Sequence, residues 1–215
     1  MSGNIDSTSE DFLSKQQEIY KSAYVTLALI VINIIVFVIS NLVPSLYSNG
    51  AMFTAGILAN GEYYRIFTAT FLHANVKHLF DNMIMLGIVG AIIENYMGHG
   101  LYRIMYLLAG ICGNLLSMAY EIHNDLQWVS VGASGSVMGV VGFLAVWIVI
   151  NRKVLVQDKS MLIRLLFLLV FVVDACFFQS GANTVAHLGG FLTGFVIGIL
   201  NIIVFKNRKN MEGIA

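Results

Sequence analysis

The sequence predicts an all-α polytopic membrane protein, a bundle of six transmembrane helices. Of its 215 residues 58% are hydrophobic, 11% are charged and one is proline, whereas a water-soluble domain has about 25% charged residues. The apolar residues also gather into stretches of about 20, the length with which a helix crosses a hydrocarbon core about 30 Å thick.

In chain order the spans fall at residues 22–43, 78–97, 101–120, 134–150, 161–180 and 184–205. The first is too long for a signal-peptide core, and no small-residue cleavage site follows before Pro44, so it is retained as a span. Ahead of it, residues 1–21 read as a polar tail with Asp6, Glu10, Asp11 and Glu18. Residues 22–205 form the membrane domain and residues 206–215 a second tail. The second span opens with His78 and Asn82 and ends near Glu94 and Asn95, and the third contains Asn114. The fourth opens at Ser134. The fifth is bulky, with Asp174 deep within it, and the sixth opens near His187 and ends past Asn201. No internal repeat or second domain is visible.

Short cytoplasmic loops collect Lys and Arg. Lys15, Lys21, Arg103, Arg152, Lys153, Lys159, Arg164, Lys206, Arg208 and Lys209 fall on one side of this topology, and Arg65 and Lys77 on the other. Both termini are therefore expected in the cytoplasm, and the second, fourth and sixth spans all begin at the outer face. A bacterial plasma membrane is the expected location for so compact a chain.

The net charge is zero, and no basic face with interleaved aromatics suggests nucleic acid as a partner. Cys112 and Cys176 each sit in an apolar run, where a thiol behaves as a small hydrophobe; no disulfide is expected. No metal, nucleotide or prosthetic group is expected either. His73, His78 and His187 are a conceivable metal set, but His73 and His78 are five apart, a poor match to one helix face, and no carboxylate cluster supports them. His99 and His123 read as solvated loop residues.

Polar side chains at membrane depth are costly, so each is a functional candidate. His78, Asn82, Ser134 and His187 all lie at helix openings on one side of the membrane, and their chemistry is complementary. A serine hydroxyl becomes a nucleophile when a base within hydrogen-bond reach takes its proton, and a neutral imidazole suits that task. His187 can serve as the base for Ser134. His78 and Asn82, four apart, share a helix face and can donate to a developing oxyanion, with the backbone N–H of Ser134 as a third donor. Gly135 and Gly139 in the fourth span, and Gly190, Gly194 and Gly198 in the sixth, are spaced to let two backbones approach closely. Each signal has a plainer reading: a serine among glycines packs helices, a histidine at a helix opening is an interfacial residue, and an asparagine is interhelical glue. Their agreement in residue type, helix position and membrane side favours the chemistry. A soluble α/β-hydrolase is disfavoured, because its G-x-S-x-G elbow would need glycine at Ser136 and a preceding strand.

These residues resemble the rhomboid family of intramembrane serine proteases. "HANVKHLFDN", residues 73–82, resembles its second-span motif; "GASG", 132–135, its nucleophile motif; and "AHLGGFLTG", 186–194, its sixth-span motif. The resemblance runs from about residue 60 to 200. It implies a six-span rhomboid-like fold and a dyad of Ser134 and His187 without an acidic third member, with His78, Asn82 and the Ser134 amide as the oxyanion hole. It further implies that Arg65, in "YYR" 63–65, anchors the first loop at the membrane surface and that Glu94 ties that loop to the second span. Two positions depart from the family pattern: Tyr64 replaces a tryptophan, and Met138 replaces the aromatic residue four positions after the serine.

The expected function is an intramembrane serine endopeptidase acting on transmembrane protein substrates in the lipid bilayer, with lateral access near the fifth span. The alternatives are an inactive relative that binds transmembrane clients, or a small transporter with Asp174 and Glu94 in a proton path. The lone Asp174 otherwise reads as a hydrogen-bonding residue between helices.

Overall fold

The structure, a computed structural model, describes residues 14–152, 159–174, 181–207 and 211. Residues 1–13, Cys176, the end of the fifth span, and Lys153, Arg208 and Lys209 of the basic sets lie outside the described residues. A helix over residues 14–22 leads into α1 (Tyr24–Leu42). Then follow α2 (Val76–Met97), α3 (His99–His123), α4 (Ser134–Ile150), α5 (Lys159–Val173) and α6 (Thr184–Val204). A π turn, Leu86–Gly90, lies within α2, and another, Leu200–Val204, closes α6.

Among the described residues four helices, α1, α2, α3 and α6, are long and apolar enough to cross a membrane. The chain is therefore a multi-pass helical membrane protein. The other two expected spans are described over shorter helices. α4 has 17 residues, about 26 Å of helix, because it begins at Ser134 in the wall of a cavity. α5 is described over 15 residues. The outward faces of α1 (Val31, Ile32, Ile35) and α5 (Leu166, Phe167, Val170) are exposed and apolar, as suits helices solvated by lipid.

Small residues draw α3, α4 and α6 into the tightest part of the bundle. A Cβ added to Gly190 or Gly194 would strike the carbonyl of Gly135 or Gly139 respectively, and one added to Gly113 would lie 2.6 Å from the carbonyl oxygen of Ala186. Backbone therefore rests directly on backbone where Ser134 and His187 originate. Tyr102, Met105 and Tyr106 of α3 pack with Phe143 and Leu144 of α4 in the adjoining core, all almost wholly buried.

At the opposite end of the bundle Glu94, fully buried, accepts hydrogen bonds from the backbone N–H groups of Val25 (2.8 Å) and Thr26 (2.7 Å). Ala23, the N-cap of α1, offers no side-chain cap, so a carboxylate from α2 satisfies amides left unpaired by the helix start. Glu94 thus joins α2 to the start of α1, not to the first loop as the resemblance implied. Gly98 turns the chain between α2 and α3 at φ 85, which sets His99 Nδ1 2.6 Å from Glu94 Oε1. His99, read from sequence as solvated, is half exposed but engaged with this carboxylate.

Residues 43–75 form a folded connection with short helices Pro44–Gly50, Thr54–Asn60 and Arg65–Thr68. Arg65 is buried, pairing with Glu62 at 2.6 Å and donating to the carbonyls of Ser48 and Ala51. It organises the connection from inside. Met52–Phe53 (β1) pairs antiparallel with Val129–Ser130 (β2). This small sheet, absent from the all-α expectation, pins the segment leading to Ser134 against the connection.

Candidate active site

Because α2, α4 and α6 run in the same direction, their starts meet on one side of the bundle, around a cavity of about 580 Å³. His78, Asn82, Ser134, Met138, Asn183 and His187 line it. Ser134 is the first residue of α4 and His187 lies on the first turn of α6, buried to 6% exposure. His187 Nε2 lies 2.8 Å from Ser134 Oγ. His187 Nδ1 is buried and has no hydrogen-bond partner among the described residues.

His78 reaches the serine through a gap at Gly132. Gly132 has φ 134 and donates its N–H to Ala69 O at 2.9 Å. A Cβ there would lie 2.8 Å from His78 Nε2 and 3.5 Å from Ser134 Oγ, so only glycine admits the imidazole beside the serine. Asn82 stands one turn along from His78 and donates one amide hydrogen to His78 O at 2.8 Å; its second hydrogen is available to the cavity. The four site residues read from the sequence are thus together. Ser136, two residues after Ser134, is separated from them: it is fully buried against Gly110 of α3.

His73 is 1% exposed, and its ring packs edge-on against His78, centroids 5.1 Å apart. The five-residue spacing does not keep the rings apart, because His73 precedes the start of α2. Burial, reinforced by the neighbouring His78, pushes the His73 imidazole down to about 3. It is a neutral wedge behind His78. The sequence motif contained it, but a packing role leaves no signature beyond the residue itself. Asn183, the N-cap of α6, was also missed; a polar residue just before an apolar run is the signal that marks it.

Asp174 is exposed at the rim of the cavity. There too Lys77 Nζ lies 2.7 Å from Asp81 Oδ2. The other polar span residues act structurally: Asn114 donates to Ile66 O at 2.8 Å, and Asn201 accepts from Asn207 at 3.0 Å. Cys112 is a free thiol, half buried.

The fold and site define a polytopic helical membrane protein with a serine and a histidine from separate helices in hydrogen-bond contact inside a cavity. Residues 60–203 match the Rhomboid domain, and the chain belongs to the rhomboid family. It is 32% identical over 143 residues to the putative rhomboid protease YdcA of Bacillus subtilis, covering 66% of this chain and 69% of that one. It is 30% identical over 139 residues to the rhomboid protease GluP of the same organism, covering 65% and 26%. It is also 30% identical over 171 residues to RHOMBOID-like protein 1 of Arabidopsis thaliana, covering 77% and 43%. The chain thus spans less than half the length of that plant relative.

Proposed function

We propose that the chain is an intramembrane serine endopeptidase that hydrolyses peptide bonds in or near transmembrane segments of other membrane proteins. The observation that carries this reading is the 2.8 Å contact between His187 Nε2 and Ser134 Oγ in a cavity about 580 Å³ in volume. Membership of a family whose relatives include proteins named as proteases supports it.

In this mechanism Ser134 Oγ attacks the scissile carbonyl while His187 Nε2 takes its proton. The oxyanion that forms is met by the Ser134 N–H, the free amide hydrogen of Asn82 and His78 Nε2 when that nitrogen carries a proton. The imidazolium then gives its proton to the leaving amine, leaving an acyl-serine. Water enters from the cavity and attacks the acyl carbon as His187 takes its proton; the intermediate collapses, His187 returns that proton to Ser134 Oγ, and the second product leaves as a carboxylic acid. Acidification stops the cycle, because an imidazolium accepts no proton from serine. A helical peptide bond is shielded by its own backbone, so substrates with helix-weakening residues at the cut are preferred. Access is lateral, between α2 and α5, where Lys77, Asp81 and Asp174 stand at the cavity rim.

The reading includes six membrane spans, α4 and α5 crossing with the four longer helices, and both termini on the cytoplasmic side of a bacterial plasma membrane. The partition of ten of the twelve Lys and Arg residues to one side supports that orientation. The test is cleavage of a transmembrane reporter by the detergent-purified protein beside its Ser134→Ala form. Cleavage by the parent alone supports the reading. No cleavage by either, with clients still bound, supports the inactive-binder reading, and transport lost on Asp174→Asn but kept in Ser134→Ala supports a transporter.

A further inference from the structure

A chain of hydrogen bonds runs through the site without belonging to the residues that do the chemistry in the proposed reading. Asn183 uses three of its polar groups at once. Its Oδ1 accepts from Ala186 N at 3.0 Å, capping α6. Its two amide hydrogens go to Ser117 Oγ on α3 and Ser130 Oγ on β2, both at 2.7 Å. Its backbone carbonyl accepts from the His187 N–H at 3.0 Å. Ser130 lies four residues before Ser134, on the strand paired with Met52.

The far side of this junction is also satisfied. Ser117, fully buried, donates to Glu121 Oε1 at 3.2 Å, which turns its lone pairs toward Asn183 and toward Trp128 Nε1, 3.3 Å away. Glu121, 1% exposed, takes a second hydrogen bond from Thr54 Oγ1 at 2.9 Å. Glu121 thereby sets the direction of the Ser117 hydroxyl, and the folded first connection sets Glu121. Buried networks in which every member is satisfied hold one arrangement.

We propose that Asn183 is a positioning residue that locks the helix carrying His187 to the strand that leads into Ser134, with Ser117 and Glu121 orienting it. This rests on the endopeptidase reading. Its two functions separate chemically. Ser and Asp cap a helix about as well as Asn, but serine is too short to reach Ser117 and Ser130, and aspartate has no hydrogens to donate to them. Both variants keep the cap and lose the two bonds that Asn183 donates to Ser117 and Ser130.

The test compares kcat, KM and fluorophosphonate labelling rate for the parent, Asn183→Ser, Asn183→Asp and Ser130→Ala, with thermal unfolding of each. Asn183→Ser is expected to lower kcat and the labelling rate together by roughly tenfold to a hundredfold, the scale on which misplacement by about 1 Å acts, at unchanged KM. Asn183→Asp is expected to lose as much kcat, and its pH profile to move toward alkaline pH because a carboxylate then stands near His187. Ser130→Ala is expected to lose less, and to add nothing in the Asn183→Ser background, since the shared bond is already gone. A cleaving parent with kcat kept in Asn183→Ser and Asn183→Asp overturns the proposal. So does a loss of kcat that matches the loss of folded protein. A parent that cleaves nothing and resists labelling overturns instead the endopeptidase reading.

Discussion

Replacing Gly113 by alanine should disable the site from a position that does not line the cavity. A Cβ at Gly113 would lie 2.6 Å from the Ala186 carbonyl oxygen, against an ordinary contact of 3.4 Å or more. The obstacle is backbone, so α3 and α6 must separate locally by about 0.8 Å, the difference between those distances. Ala186 directly precedes His187, whose Nε2 sits 2.8 Å from Ser134 Oγ; the same displacement along that line takes the pair out of hydrogen-bond range. Overpacking costs about 1–3 kcal/mol of stability, which leaves a folded protein, whereas a misplacement near 1 Å costs about a hundredfold in rate. Gly100 at the start of the same helix is the control, because a Cβ there meets nothing within 4 Å. The assay is turnover of a transmembrane reporter per folded molecule, with the unfolding midpoint measured in the same detergent. Gly113→Ala is expected to lose turnover by roughly tenfold to a hundredfold while Gly100→Ala keeps it. Equal turnover in the two variants refutes the claim that backbone contact between α3 and α6 sets the dyad distance.

Glu94→Gln is expected to destabilise the fold by about 2–3 kcal/mol, because a carboxamide offers one acceptor where two backbone N–H groups now meet charged oxygens; an unchanged unfolding midpoint would contradict this. His73 should add an acid-sensitive component to stability. The unfolded chain takes up this proton near 6.5 and the folded chain only at about 3, so stability is full above the upper value and falls toward the lower one by up to about 1.4 kcal/mol per pH unit. His73→Phe keeps a ring against His78 and should flatten that part of the profile, which denaturant unfolding between pH 7 and 4 would read. Asn82→Ala should cut turnover by roughly tenfold to a thousandfold with the fold intact, and unchanged kcat would remove Asn82 from oxyanion stabilisation.

The residues that meet in the cavity were legible because each stands where a long apolar helix begins, and polar groups at such positions are few. The glycine spacing of α4 and α6 was legible for the same reason: it is periodic along one helix. What the sequence hid was pairing between distant segments. The two-residue strands carry no alternation, and Ser130 and Met52 are joined across 78 positions. Arg65 gave no sign of its burial because, besides Glu62 three positions before it, its partners are the backbone carbonyls of Ser48 and Ala51, which have no residue signature. Glu94 was visible as a buried acid, but its work at the start of α1 depends on amides 68 and 69 positions away. His99 reads as a loop residue until the turn at Gly98 brings it back on Glu94. The role of Asn183 had no counterpart in the sequence, since its three simultaneous side-chain bonds exist only once α3, β2 and α6 have met.

The most direct test is labelling by a serine-directed fluorophosphonate followed by peptide mapping, in the parent protein and in Ser134→Ala and His187→Ala. The account predicts a single modified serine, Ser134, in the parent and no adduct in either variant. Labelling that persists in His187→Ala at the parental rate, or that maps to another serine, would contradict a hydroxyl activated by that imidazole.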